Sequence, residues 1–236
     1  MDVSRSGSLL KTVLDRVLRD DAEFATCTRL IYVAELADEG AGDRIAPFLN
    51  AFVAEEWARD SNMTGLVVVQ AETCLHLVES QPETVVALMQ SIEANAASDE
   101  PLYKPGSLRV LHSAEDAQSP LFGQLMLVQH TFTSGGALDL SGEDVAAPLF
   151  GVVSKLLRLA DELPPPDADR AAFEDARARI EREHASLVPS DMAVRSVCSC
   201  DALLTLSDWI SVFAAPVAVE THDAAAQPVP PSLLTC

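Results

Sequence analysis

The sequence has few basic residues for its length. It contains 16 Lys and Arg residues against 36 Asp and Glu residues, which gives a formal net charge of −20. A charge of this sign repels the phosphate backbone of nucleic acids and the anionic surface of membranes. We therefore expect neither nucleic acid nor a membrane among the partners.

Long apolar runs and a secretion signal are lacking as well. No apolar run approaches the roughly 20 residues that a membrane helix needs. The first 24 residues are charged and helical in pattern, without the apolar core and small-residue cleavage site of a signal peptide. The cysteines are odd in number and thinly spread, which is typical of reduced cytosolic proteins. The sequence thus predicts a cytoplasmic protein. Its cysteines are Cys27, Cys74, Cys198, Cys200 and Cys236.

The composition divides the chain into four segments. Residues 1–27 include an amphipathic helix, because apolar residues recur there at helical spacing. Residues 28–135 alternate between strand-like and helix-like patterns. Residues 136–215 form a helical extension that the proline triplet of "ELPPPDADR" interrupts. Residues 216–236 have the composition of a flexible tail.

The segment 28–135 predicts an α+β fold. Its β-rich apolar runs alternate with runs in which apolar residues lie on one helical face. The order strand, helix, strand, strand, helix, strand, strand is that of the split βαβ arrangement, a ferredoxin-like sheet with both helices on one face. In chain order the segments are "TRLIYVAEL", "GDRIAPFLNAFVAEEWARD", "MTGLVVV", "CLHLVES", "PETVVALMQSIEAN", "SLRVLHSAE" and "FGQLMLVQHTF".

Several of these segments resemble the BLUF domain family, whose members sense blue light with a bound flavin. The similarity covers "RLIYV", the hairpin "MTGLVVV…CLHLVES" and the helix "PETVVALMQSIEAN", with Ser80 at a position where the family usually has glycine. The resemblance implies the BLUF-type sheet and a pocket for FAD between the two helices.

The resemblance also indicates which residues would line that pocket. Tyr32 corresponds to the photoactive tyrosine and Met126 to a methionine of the last strand, whereas His76 replaces a glutamine and Ala58 an asparagine that contact the flavin. Each lost hydrogen bond in a desolvated pocket costs about 1 to 3 kcal/mol of binding. We therefore expect a vestigial pocket without cofactor, in which the Tyr32 hydroxyl bonds to His76 or to a backbone carbonyl. The alternative is a flavin-binding blue-light or redox sensor that uses FAD.

No constellation of residues predicts catalysis. The sequence "CSCD" at residues 198–201 lacks the further ligands of a structural zinc site. The glycines of "SGGALDLSGED" lack the basic residue of a phosphate-binding loop, and we expect Ser141 to cap the next helix with Asp144 in its first turn. We expect neither an enzyme nor a metal site.

The helical extension carries three apolar stripes. The first, within residues 143–163, is broad enough to lie along the domain or along a partner. The second, within residues 167–188, is thin and lies among charged residues, with Arg177 and Glu181 at the helical spacing that allows an ion pair. In the last helix, Trp209 and Phe213 are candidate interface anchors, although burial against the protein's own sheet explains them equally well.

The layout as a whole resembles the testis-expressed BLUF-containing proteins and their algal flagellar relatives. This resemblance implies a non-enzymatic subunit of the motile cilium, in the central apparatus of the axoneme, with a large scaffold protein or a BLUF-like sister as partner in a homodimer or heterodimer. Because tubulin and this chain are both acidic, we expect little direct contact with tubulin.

Overall fold

A computed structural model describes residues 27–55, 62–117, 119–142, 144–165 and 168–214. The predicted helix within residues 1–27 and the predicted tail 216–236 lie outside these residues, and so does Ala58.

The centre of the fold is a six-stranded mixed sheet in the order β5-β2-β3-β1-β4-β6. β5 runs parallel to β2, and every other neighbouring pair is antiparallel. β-Branched and leucine residues dominate the central strands, as expected for strands that are buried on both faces. The strands are β1 (Cys27–Glu35), β2 (Thr64–Val69), β3 (Thr73–Ser80), β4 (Arg109–Ala117), β5 (Leu125–Gln129) and β6 (Leu204–Thr205).

Helices cover both faces of this sheet. Pro82 starts the second helix, where its missing N–H costs nothing. The order β1, α1, β2, β3, α2, β4, β5 confirms the predicted split βαβ arrangement and the α+β class. The helices are α1 (Ala41–Ala54), α2 (Pro82–Ala96), α3 (Ala146–Asp161), α4 (Arg170–Arg182), α5 (Asp191–Cys198) and α6 (Leu206–Phe213).

Alternate residues of each strand belong to two separate cores. In β1, Leu30 and Tyr32 lie in the core with α1, α2 and α6, whereas Ile31 and Val33 lie in the core with α3, α4 and α5. The extension therefore packs against the protein's own sheet. Of the two alternatives for the stripe within residues 143–163, the structure shows the first, since Val152, Val153, Leu156 and Leu159 are buried there.

Polar contacts tie this extension to the β2–β3 hairpin. The buried Gln70 accepts a hydrogen bond from the N–H of Phe132 at 2.9 Å and donates one to the carbonyl oxygen of Pro189 at 3.3 Å. Thr73 donates its hydroxyl to Asp191, the first residue of α5, at 2.7 Å. The sheet and the extension thus form a continuous packed unit.

Two local predictions in the extension are wrong. α3 begins at Ala146, so Ser141 does not cap it, and the Ser141 hydroxyl donates to Asp139 instead. Asp144 accepts the N–H of Ala147 at 3.3 Å. Arg177 pairs with Glu174, three residues before it, and not with Glu181.

No helix in the described ranges has the length and apolar character that crossing a membrane requires.

Candidate functional site

The candidate site is the sheet face beneath α1 and α2, where the predicted pocket residues Tyr32 and His76 meet. The two residues are opposite each other in the antiparallel β1–β3 pair, so their side chains point to the same face. Their rings stack with centroids 4.5 Å apart and planes at 8°. Both side chains are fully buried.

One ring nitrogen of His76 is held by two neighbours. The Nε2 atom lies 2.8 Å from the hydroxyl of Tyr103 and 3.0 Å from the thiol of Cys74. Burial lowers the pKa of His76 to about 3, so the ring is neutral and carries one proton. The tautomer of the ring sets the direction of the hydrogen bond between Nε2 and the Tyr103 hydroxyl, since a hydroxyl can donate or accept.

The prediction that the Tyr32 hydroxyl bonds to His76 or to a backbone carbonyl is wrong. Among the described residues, neither the Tyr32 hydroxyl nor His76 Nδ1 has a hydrogen-bond partner. The reason is geometric: the Tyr32 ring stacks on the imidazole and does not point at it, while Tyr103 takes Nε2. Burial raises the pKa of Tyr32 and of Tyr103, so both hydroxyls stay protonated.

Among the described residues, the side chains between the sheet and the helices α1 and α2 are closely packed. A cavity wide enough for a flavin ring leaves water-accessible surface on the side chains around it, yet Tyr32, His76 and Leu88 have none. The described residues of this face therefore do not fit an isoalloxazine ring. The apolar helix side chains buried here, each at most 4% exposed, are Ala41, Ile45, Leu49 and Phe52 of α1 and Val85, Leu88, Met89 and Ile92 of α2.

Met126 does not belong to this face. It pairs with Leu66 in the parallel β2–β5 ladder and lies in the opposite core, beneath the helical extension. Its neighbours Leu125 and Leu127 pack toward α1 and α2 instead. The prediction that Met126 lines the pocket is therefore wrong. Its position is offset by one residue, and in a strand an offset of one residue places a side chain on the opposite face of the sheet.

Trp209 and Phe213 both lie on α6, which packs against α2 and β4. Trp209 is 1% exposed within the core under α1 and α2, and its ring stacks on the partly buried Phe213 with centroids 4.7 Å apart. Of the two alternatives from the sequence, the structure thus shows Trp209 buried in the protein's own core. Its burial corrects the prediction of an accessible interface anchor.

Tyr103 is the site residue that the sequence did not reveal. It lies between α2 and β4 and forms a single β-bridge with Leu36, which places its ring edge against His76. The aromatic residue in "PLYKP" was the available signal, although nothing local indicated a contact with a histidine 27 residues earlier.

The cysteines of "CSCD" are buried side chains of the extension. Burial raises the pKa of Cys198 to about 12, so this thiol remains protonated. Across the described ranges, no three His, Cys, Asp or Glu side chains come together in a way that could hold a metal ion.

We expect Tyr32→Phe to leave the free energy of unfolding unchanged or to raise it, because the hydroxyl that it removes is buried without a partner. Tyr103→Phe should lower the free energy of unfolding by about 1 kcal/mol, because it removes the buried hydrogen bond between this hydroxyl and His76. Urea unfolding of the two matched variants measures both values. A larger loss for Tyr32→Phe than for Tyr103→Phe would contradict the hydrogen-bond assignment.

Comparison with known proteins gives one family. Residues 26–215 match the sequence profile of the family described as Testis-expressed protein 47. No curated protein matches the chain in sequence.

Several solved structures are similar to the chain. The dark state of the BLUF protein BlrB has a TM-score of 0.40 and 16% identity, over 58% of this chain and 98% of that chain. A bacterial light-regulated adenylyl cyclase has a TM-score of 0.36 and 14% identity, over 58% of this chain and 37% of that one. Klebsiella pneumoniae BlrP1 in complex with calcium and cyclic di-GMP has a TM-score of 0.35 and 19% identity, over 66% of this chain and 34% of the BlrP1 chain. The chain thus spans only about a third of the cyclase and BlrP1 chains.

Proposed function

The chain belongs to the Testis-expressed protein 47 family, and from this premise we propose that it is a non-enzymatic interaction subunit built on a BLUF-like fold that no longer senses light. The family match agrees with the testis-expressed, BLUF-like protein that the sequence predicted.

The packing of the α1–α2 face carries this proposal. In a flavin-binding sheet this face must leave space for a ring and offer hydrogen-bond partners to it. Here the His76 ring stacks on Tyr32, its Nε2 is engaged by Tyr103 and Cys74, and the helices add apolar side chains. The face serves as a protein core.

The alternative function, a flavin-binding sensor, has one observation in its favour. The Tyr32 hydroxyl and His76 Nδ1 are buried polar atoms without partners among the described residues, and a ligand could satisfy such atoms. The close packing around them weighs against this alternative.

The absorption spectrum of the purified 236-residue chain decides between the two functions. We expect no visible flavin band, and no band after incubation with FAD and gel filtration. His76→Gln, which restores an amide at the family position, is the matched variant, and a flavin-loaded BLUF protein is the positive control. Retention of FAD by the unmodified chain would overturn the proposal.

The subunit's place in the cell is part of the same proposal. We assign it to the cytoplasm and to the axoneme of motile cilia, in the central apparatus, bound to a large scaffold protein or to a BLUF-like sister. The family's namesake is described as testis-expressed, and testis is the tissue that forms flagellated sperm. The net charge of −20 favours a basic or apolar docking partner over the acidic tubulin surface.

Fractionation of ciliated cells tests this assignment. A tagged chain should remain with detergent-extracted axonemes, and cross-linking there should join it to non-tubulin proteins. Recovery of the chain in the soluble fraction alone would contradict the axonemal assignment, whereas dominant cross-links to tubulin would contradict the charge argument.

A further inference from the structure

The outer edge of β5, called the open edge below, has no strand partner among the described residues. β5 is the last strand on its side of the sheet, and its ladder partner there is β2. At the two ends of this ladder, the N–H of Gly65 donates to the carbonyl oxygen of Gln124, and the N–H of His130 donates to that of Val69. Because every second residue of a strand bonds to the same neighbour, the N–H groups of Met126 and Val128 also point toward β2. The amides of Leu125, Leu127 and Gln129 therefore point outward, and no described residue bonds to them.

Nothing in β5 itself protects this edge. Natural sheets shield their edges with charged residues, proline, bulges or very short strands. β5 has the sequence LMLVQ and pairs with β2 over five residues without a register shift. The other side of the sheet differs, because β6 has two residues and β4 carries Glu115 and register shifts against β1.

A groove runs along the open edge. It has a volume of about 390 Å³ and lies between Asn50 of α1 and the side chains of Phe173, Glu174 and Arg177 of α4. An extended strand placed in this groove continues the sheet and reaches the outward amides of β5.

We propose that β5 of a second copy of this chain occupies this edge, antiparallel to the first β5, across a two-fold axis at Leu127. In this register Leu127 exchanges two hydrogen bonds with its counterpart, and Leu125 pairs with Gln129 of the other copy. The two sheets become one continuous sheet, an isologous arrangement that needs no other protein.

The charges of α4 favour a second copy over a foreign strand. Its first half contains Glu174 and Asp175 against Arg170, and its second half contains Arg177, Arg179 and Arg182 against Glu181. A two-fold axis places the acidic half of one α4 beside the basic half of the other. In a chain with net charge −20, α4 has four arginines against three acidic residues, so two copies can approach here without strong repulsion.

Sedimentation equilibrium of the 236-residue chain tests the dimer. We expect a species with twice the mass of 25.2 kDa, which dissociates on dilution. Leu127→Pro removes the outward N–H of β5 and leaves the β2 ladder bonds of Met126 and Val128 in place. Since each copy then loses one hydrogen bond to the other, the dimer Kd should rise about tenfold or more. Leu127→Ala, which keeps the N–H, should change the Kd far less.

Two further measurements do not depend on the folding of the proline variant. Hydrogen exchange of the unmodified chain should slow at Leu125, Leu127 and Gln129 as the concentration rises. Arg177→Glu, on the exposed face of α4, should weaken the dimer without affecting the sheet. A chain that stays monomeric at all concentrations would overturn the inference and leave the edge to a foreign strand. A Leu127→Pro variant that folds and still dimerises as tightly as the unmodified chain would overturn it as well. This inference is separate from the proposed function, because a flavin-binding chain could pair in the same way.

Discussion

Gly65→Ala should abolish folding or lower the free energy of unfolding by about 4 kcal/mol or more. Gly65 lies in β2 with φ at 140°, a backbone conformation that favours glycine. An added Cβ would overlap the carbonyl oxygen of Leu77 and approach Val78 Cα to 3.1 Å. Both obstacles are backbone atoms of the paired strand β3, so no rotamer change can relieve the clash. Soluble yield, circular dichroism and urea unfolding measure the effect.

Gly106→Ala is the matched control. Gly106 also has a positive φ, at 74°, but its added Cβ meets nothing within 4 Å. We expect a loss of about 1 to 2 kcal/mol from the backbone conformation alone. Equal losses for the two variants would show that the close approach of β2 and β3 at Gly65 is not the cause.

The order of strands and helices was predictable because each element carries its own pattern. The stretch "MTGLVVV" reads as a strand from its β-branched residues, and α2 reads as a helix from its proline start and apolar spacing. The sheet order confirms the predicted α+β class with its split βαβ arrangement, and the family match confirms the predicted likeness to a testis-expressed protein.

The face of a strand was harder to predict than its existence. In β5 the run Leu125, Met126, Leu127 is apolar throughout, because both faces of the sheet are covered. Without alternation of polar and apolar residues, the sequence contains no information on which side chains face which core. This is the physical reason why Met126 was assigned to the wrong face.

The sequence predicted which residues belong to the candidate site, but it did not predict the contacts between their side chains. Tyr32 and His76 were expected close together because the resemblance to the BLUF family places both in one pocket, and the structure pairs them across β1 and β3. The hydrogen bond of His76 goes to Tyr103, which reaches it through a loop. Trp209 completes the same core from the far end of the chain, and its position depends on how the extension packs.

Glu79→Gln should lower the free energy of unfolding by about 3 to 5 kcal/mol, the usual loss when a buried ion pair loses one partner. Glu79 of β3 is fully buried and lies 2.7 Å from Arg29 Nε. It also accepts the backbone N–H groups of Leu121 and Phe122 at 2.8 and 3.1 Å. The amide of glutamine places an NH2 group among these donors and leaves Arg29 without its counter-charge. Urea unfolding at neutral pH measures the loss.

Asp38→Asn supplies the comparison for this variant. Asp38 pairs with Arg44 at the same distance of 2.7 Å, but its side chain is 53% exposed, so solvent already screens the pair. We expect a much smaller loss, and a similar loss for both variants would show that burial does not set the strength of the Glu79 contacts. Because Glu79 holds the turn before β5, Glu79→Gln should also speed hydrogen exchange in β5, whereas Asp38→Asn should not.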